Sequence, residues 1–326
     1  MITILGAGFG LSLAVLLKDK DVTVWMRSKE KIDDIRLHGE SRKLLPGVAI
    51  DSKINFTTDL SVVQNSDIVI MAVPSSASEE IAQKIAPYLK SDAIVVTVSK
   101  GFCNGNRLSE VIAKYITKND IVVLSGPSHA EEMGRNIPTT IVAACKNRAS
   151  AEKIQDLMEN TNLRVYVNDD IVGVELGGSL KNIIAVCAGI LDGLGLGDNT
   201  KAALMTRGLA EISRLGIALG AKRETFLGLS GMGDLIVTCT SMHSRNRRCG
   251  ILIGKGVSIE DAVKEIGTVE GICAVKQAYI LSQKHNVEMP ITQQLYLVVT
   301  ENKPAKDALI DLMGRPQRHE EEKINL

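Results

Sequence analysis

Lys181 lies in Gly177-Gly178-Ser179-Leu180-Lys181-Asn182-Ile183-Ile184-Ala185, an otherwise apolar stretch with helical spacing. A lysine there either snorkels to solvent or is partly desolvated with a lowered pKa, and composition alone favours snorkelling. A desolvated lysine suits a general base that removes an alcohol proton while hydride leaves the same carbon. Asp234, in Gly231-Met232-Gly233-Asp234-Leu235, is a carboxylate in a Gly-rich bend. It either holds Lys181, binds substrate hydroxyls or caps a helix. Ser244-Arg245-Asn246-Arg247-Arg248 is the one basic cluster. At an expected helix start it has the parts of a phosphate site: helix amides, a hydroxyl, an amide and a guanidinium. Arg247 and Arg248 are read as a solvated helix face.

A second group of residues points to a dinucleotide. Gly6-Ala7-Gly8-Phe9-Gly10 falls between the expected strand 2–5 and a helix beginning near Leu11. Glycines in that context allow a tight turn and close backbone approach, so a pyrophosphate can sit on the helix N-terminus. The usual fingerprint is GxGxxG; here the third glycine arrives one residue early. The second strand ends in Trp25-Met26-Arg27-Ser28-Lys29, without the carboxylate that would meet a ribose 2′-hydroxyl. Arg27, Ser28 and Lys29 can instead hold a 2′-phosphate, which favours NADP over NAD or tolerance of both. Ser99-Lys100-Gly101 and Ser125-Gly126-Pro127-Ser128-His129-Ala130 each follow a strand, where ligands gather in an open parallel sheet.

The elements that must position these residues change character along the chain. Continuous Val/Ile runs at 2–5, 22–25, 68–72, 94–98, 121–124 and 140–143 read as strands buried on both faces. Helical patterns such as 76–89 and 108–116 separate them, so the first half is an α/β, Rossmann-like, doubly wound parallel sheet. A further short strand, 164–167, is expected to close it. From 169 onward strands vanish and helical segments take over at 171–191, 201–219, 259–265, 274–285 and 291–300. The expectation is a dinucleotide-binding domain over 1–168 and an all-helical substrate domain over 169–326. The charged tail 319–326 is read as a frayed end.

The whole chain sets further bounds. Its 326 residues leave room for about two domains of roughly 150 residues each. With 38 basic and 38 acidic residues the net charge is zero, which argues against nucleic acid or an anionic membrane as a partner. None of the six cysteines is spaced for a CxxC motif or a zinc finger, so reduced thiols and no metal site are expected. The apolar stretch 2–17 lacks the positive flank of a signal peptide, and the apolar run 183–191 is too short to span a bilayer. The expected location is the cytoplasm, with no stable membrane insertion.

Taken in order, the motifs resemble the bacterial-type NAD(P)-dependent glycerol-3-phosphate dehydrogenase family over almost the whole chain. The likeness rests on Ser99-Lys100-Gly101, Ser125-Gly126-Pro127-Ser128, Val174-Glu175-Leu176-Gly177-Gly178 and Leu180-Lys181-Asn182. It continues through Thr206-Arg207-Gly208-Leu209-Ala210-Glu211, Gly231-Met232-Gly233-Asp234-Leu235 and Thr238-Cys239-Thr240. Ser244-Arg245-Asn246-Arg247-Arg248, Val269-Glu270-Gly271 and Met289-Pro290-Ile291 complete it. The resemblance implies interconversion of sn-glycerol 3-phosphate and dihydroxyacetone phosphate with NAD(P)H, supplying glycerol phosphate for phospholipids. By motif it makes Lys181 the general acid/base. It places Lys100, Gly126, Ser128, Asp234, Ser244, Arg245 and Asn246 around the substrate, with Arg245 and its neighbours on the phosphate. Gly6, Gly8, Phe9, Gly10, Arg27, Lys100, Ala130, Arg245, Val269 and Glu270 fall on the cofactor side. A small phosphorylated three-carbon substrate is the expected partner, and a homodimer the expected assembly.

The first turn departs from the family's Gly-x-Gly-Ser-(Trp/Tyr/Phe)-Gly-Thr-Ala: the Ser before Phe9 is missing, and Leu11-Ser12 replaces Thr-Ala. The segment before Glu270 is one residue shorter than the commonest form. Two other readings stand beside the first: a related β-hydroxyacid dehydrogenase acting on a carboxylate, and a catalytically silent NAD(P)H-binding sensor. The second has only the shortened turn in its favour.

Overall fold

The structure, a computed structural model, describes residues 1–317 and His319. The rest of the tail expected to fray lies outside the described residues. Two compact units divide the chain, Met1–Glu175 and Leu176–Leu326.

In the first unit the strands are β1 (Ile2–Leu5), β2 (Val22–Trp25), β3 (Asn55–Thr57), β4 (Ile68–Met71), β5 (Ile94–Thr97), β6 (Ile121–Ser125), β7 (Thr139–Ala144) and β8 (Leu163–Asn168). They lie in the order β8-β7-β6-β5-β4-β1-β2-β3. The chain reverses direction across the sheet between β1 and β4, which is where a doubly wound sheet binds ligands. The helices are α1 (Gly8–Leu16), α2 (Lys29–His38), α3 (Ser78–Ile85), α4 (Leu108–Ala113), α5 (Ala130–Gly134) and α6 (Arg148–Leu157).

The Val/Ile runs form strands because both faces of the sheet are covered. Ile2, Ile4, Ile70 and Val96 pack into one apolar layer, and Leu5, Val69, Met71 and Val95 into the other. A fully buried side chain of this size contributes about 1.5–3 kcal/mol over an exposed one. One pairing differs from the all-parallel expectation: β7 runs antiparallel to β6, while β8 is parallel to β7. The connection from β6 to β7 holds only the five-residue α5, which packs against α1, so the chain returns beside β6 in the opposite direction. The helix expected over 76–89 narrows to Ser78–Ile85, with 3-10 turns on both sides. Pro87 lies in the second turn, has no N–H to donate and ends the α-helical ladder.

The second unit contains helices only, among the described residues. They begin with α7 (Ile171–Gly193), whose first residues belong to the first unit, then α8 (Asp198–Ala218), α9 (Arg223–Leu227), α10 (Asp234–Thr240) and α11 (Arg245–Gly254). α12 (Ile259–Ile266), α13 (Glu270–Lys284), α14 (Pro290–Glu301) and α15 (Ala305–Met313) follow. The division falls after Glu175 rather than after residue 168, for an electrostatic reason. The buried Glu175 carboxylate accepts from the Ser109 amide at 2.8 Å, the Ser109 hydroxyl at 2.5 Å and Arg107 Nη1 at 2.6 Å. That clamp ties the first turns of α7 to the N-terminus of α4.

α7 is long and apolar enough to cross a membrane by length and composition, so the short run 183–191 understated it. In the structure 83% of its most apolar window is buried inside the protein, which makes it a core helix. Its neighbour α11 meets it through glycines. A Cβ on Gly250 would lie 2.1 Å from the Val186 carbonyl oxygen, and one on Gly189 2.0 Å from the Arg247 carbonyl oxygen. Alanine gains about 1 kcal/mol of helix propensity over glycine, but a rigid backbone oxygen cannot step aside. Overpacking then costs about 1–3 kcal/mol or more. Gly250→Ala is therefore expected to lower the melting temperature in a circular dichroism scan; an unchanged or higher value would show that the two helices separate freely.

Candidate active site

In the first unit the helix starts inside the Gly-rich turn. α1 begins at Gly8 rather than near Leu11, with Ala7 before it and no side-chain cap. Gly6 adopts φ +110°, and a Cβ there would strike the Ala72 carbonyl oxygen at 2.6 Å, so only glycine fits. Above Gly8 a Cβ would meet nothing within 4 Å, which leaves that side of the turn open. Gly10 lies in the helix against Ile4 and Ala72, which is the packing duty of the third glycine in the longer fingerprint. The first turn of α1 carries no acidic residue and its N-terminal amides have no side-chain cap, so the turn fits a pyrophosphate. The strand–turn–helix is intact despite the early third glycine.

Lys100 and the Ser125–Ser128 loop come together at the ends of β5 and β6. Lys100 Nζ donates to the Gly126 carbonyl at 2.8 Å and approaches Ser128 Oγ at 3.5 Å, and Ser128 Oγ donates to the same carbonyl at 2.9 Å. Gly126, at φ +144°, lies where a Cβ would come within 2.9 Å of Ile141 Cα, which fixes it as glycine. Ala130 is the first residue of α5. Arg27 is exposed just past β2, paired with Glu80, and Ser28 caps α2 by accepting from the Lys31 amide at 3.3 Å.

In the second unit Lys181 does not snorkel. It is 5% exposed, and its ammonium donates to Asp234 Oδ1 and, at 2.5 Å, to Thr238 Oγ1. The Thr238 hydroxyl gives its own proton to the Asp234 carbonyl at 2.6 Å, so it presents a lone pair to the lysine. Charge pairing outweighs the composition argument: an ammonium with a carboxylate and a hydroxyl within reach can be buried, whereas an unpaired one is driven to water. Asp234 is the first residue of α10, following a single π turn over Leu229–Gly233. Its carboxylate holds Lys181, the first of its three readings. Thr238 was missed as a site residue, although its signal was present: it follows Asp234 by four positions, so the two share one face of a helix.

The basic cluster divides by role. Ser244 is the N-cap of α11, accepting from the Arg247 amide at 3.2 Å, and Arg245 is exposed in a first turn that holds no acidic residue. Asn246 is buried; its Nδ2 donates to Asn182 Oδ1 at 2.9 Å and its Oδ1 accepts from the Gly271 amide at 2.9 Å. That links α7, α11 and the start of α13, where Glu270 is the first residue and the buried Val269 precedes it. Arg247 is not on a solvated face. Its Nε donates to Asp192 Oδ2 at 2.8 Å and its Nη1 to the Thr240 carbonyl at 2.6 Å, while Lys201 holds the other Asp192 oxygen at 2.5 Å. Arg248 is likewise half-buried. Asp192, on α7, draws Arg247 inward.

A cavity of about 510 Å³ elsewhere in this unit contains none of these residues. It borders Glu211, whose carboxylate receives the amides of Ile291 and Thr292 at 2.6 and 3.1 Å at the start of α14. Burial pushes that carboxyl up to about 7 against these donors. All six cysteines are free, and burial pushes the Cys239 thiol up to about 12, so it is inert as a nucleophile.

A Rossmann-type sheet with a glycine turn, followed by helices that bury a lysine against a carboxylate and a hydroxyl, defines a two-unit oxidoreductase. Comparison with known proteins narrows the class. The family profile described as NAD-dependent glycerol-3-phosphate dehydrogenase N-terminus matches residues 1–151, and its C-terminus counterpart matches residues 170–310. The chain belongs to the NAD-dependent glycerol-3-phosphate dehydrogenase family. A relative from Thermoanaerobacter sp. (strain X514), a glycerol-3-phosphate dehydrogenase (NAD(P)+), is 54% identical over 98% of both chains. One of the same name from Clostridium perfringens (strain SM101) is 50% identical over 98% of this chain and 99% of its own. The crystal structure of glycerol-3-phosphate dehydrogenase from Coxiella burnetii superposes with a TM-score of 0.92 at 37% identity, covering 96% of this chain and 98% of that one.

Proposed function

We propose that the protein interconverts sn-glycerol 3-phosphate and dihydroxyacetone phosphate, with Lys181 as the general acid/base. The observation that carries the assignment is the buried ammonium of Lys181 between Asp234 and Thr238. Asp234 and Thr238 orient the lysine, and burial keeps bulk water from competing for its proton. When bound, NAD(P)H supplies the hydride to the carbonyl carbon in the direction of reduction. Lys181 gives its proton to the carbonyl oxygen as that oxygen gains charge, and takes one from the alcohol in the reverse direction.

The substrate phosphate is assigned to the first turn of α11, which offers the Ser244 hydroxyl, the Arg245 guanidinium and helix amides and holds no acidic residue. Asn246 acts as a positioning residue through its bonds to Asn182 and Gly271. Lys100, Gly126 and Ser128 are assigned to substrate binding, and Lys100 also to the cofactor. Gly6, Gly8, Phe9 and Gly10 hold the pyrophosphate and Arg27 the ribose end, with Ala130, Arg245, Val269 and Glu270 as further cofactor contacts. Glycerol phosphate made this way feeds phospholipid synthesis in the cytoplasm, a reducing setting that six free cysteines suit, and a homodimer is the working assembly.

The test is spectrophotometric. The purified protein is expected to oxidise NADH or NADPH when dihydroxyacetone phosphate is added and not when a small 3-keto acid replaces it. Turnover of the keto acid alone would move the protein to the β-hydroxyacid dehydrogenases. Cofactor binding without turnover on either would make it a sensor.

A further inference from the structure

In a sheet of this order the adenosine ribose lies off the end of β2, where an acidic residue ordinarily meets the 2′-hydroxyl and turns away a 2′-phosphate. This chain has Arg27-Ser28-Lys29 there and no carboxylate. The fold brings one from elsewhere. Glu80, on α3 and 53 residues further along the chain, accepts from Arg27 Nη2 through Oε2 at 3.2 Å and Oε1 at 3.3 Å. Its Oε1 also accepts from Lys84 Nζ at 2.6 Å, one turn on in the same helix. Lys84, then Arg27, holds the Glu80 carboxyl below its usual range, so it is ionised at neutral pH. The neighbouring Glu79 is directed to other partners, Asn104 at 2.6 Å and the Tyr115 hydroxyl at 3.1 Å.

We infer that Glu80 sets the balance between NAD and NADP by holding Arg27 back from the 2′-phosphate. The inference rests on the dinucleotide reading given above. With NAD the ion pair stays closed, and the carboxylate lies beside the ribose end as the missing acidic residue would. With NADP the Arg27 guanidinium leaves Glu80 for the phosphate. An exposed pair of this kind is worth at most about 1 kcal/mol, so it opens under the pull of a phosphate. Lys84 still neutralises Glu80 after Arg27 has left, which keeps the exchange shallow. The device therefore grades the preference and does not exclude NADP.

Direct binding tests this without catalysis. Trp25, the chain's single tryptophan, closes β2 and serves as donor for energy transfer to a reduced nicotinamide dinucleotide. Dissociation constants for NADH and NADPH are measured on the full-length protein with no substrate present. Glu80→Gln is expected to tighten NADPH by about fivefold while NADH stays within about twofold. Lys84→Ala, which leaves Glu80 to Arg27 alone, is expected to weaken NADPH relative to NADH. Both side chains are exposed, and unchanged melting temperatures would verify that folding is intact. A NADPH-to-NADH ratio that stays within twofold of the unaltered protein in Glu80→Gln overturns the inference while leaving the dinucleotide site standing. If the unaltered protein binds neither dinucleotide, the site itself is refuted and the inference with it.

Discussion

Lys181→Met is expected to abolish turnover in both directions while NADH binding persists. The substitution keeps a long unbranched chain in the same space but takes the ammonium from the buried Asp234 carboxylate, so the melting temperature is measured beside the activity. A positioned general acid/base is worth about 10²–10⁴ in rate, and little remains to replace it in a site whose other polar groups, Asp234 and Thr238, are turned toward the lysine. The expected split is a fall of that order in kcat with a Kd for NADH unchanged, because the glycine turn belongs to the other unit. Stopped-flow or steady-state assay with dihydroxyacetone phosphate measures the first, and fluorescence titration the second. Activity within tenfold of the unaltered enzyme would remove Lys181 from the acid/base role.

Asp234→Ala is expected to be the most destabilising single change in the site. Asp234 is 1% exposed and Lys181 5%, so removing the carboxylate takes the paired charge from a largely buried ammonium. Breaking a buried pair in this way costs about 3–5 kcal/mol, a large share of the total stability of a natural protein. Replacing both partners by apolar residues of similar size is often close to neutral. The double variant Lys181→Met with Asp234→Leu should therefore recover most of the loss in urea unfolding and none of the activity. Recovery of stability without turnover would separate the pair's structural cost from its chemical use. If Asp234→Ala unfolds at the same urea concentration as the parent, the lysine is not buried against this carboxylate.

The sheet was legible because strands covered on both faces must be apolar at every position, and runs such as Ile68–Met71 and Ile94–Thr97 show this locally. β3 was not, because Asn55-Phe56-Thr57 is a short edge strand with no apolar run to betray it. The antiparallel β7 was hidden for another reason: its apolar run is the same whichever way it lies, and direction depends on the length of α5.

The identity of the chemical groups was set by the sequence alone. A glycine turn after the first strand, a lysine in an apolar helix and a Ser-Arg-Asn cluster are local facts, and the order of the motifs carried the family. What those groups face was decided only by tertiary packing. Lys181 looked free to snorkel until Asp234 and Thr238 were brought against it from α10, 53 and 57 residues away in the chain. Arg247 looked solvated until Asp192 met it across the α7–α11 contact. Arg27 looked ready for a phosphate until α3 laid Glu80 beside it. In each case a charge's environment depends on partners supplied by distant segments, and the energy of a charge depends on its partners and its solvation far more than on its neighbours in the chain.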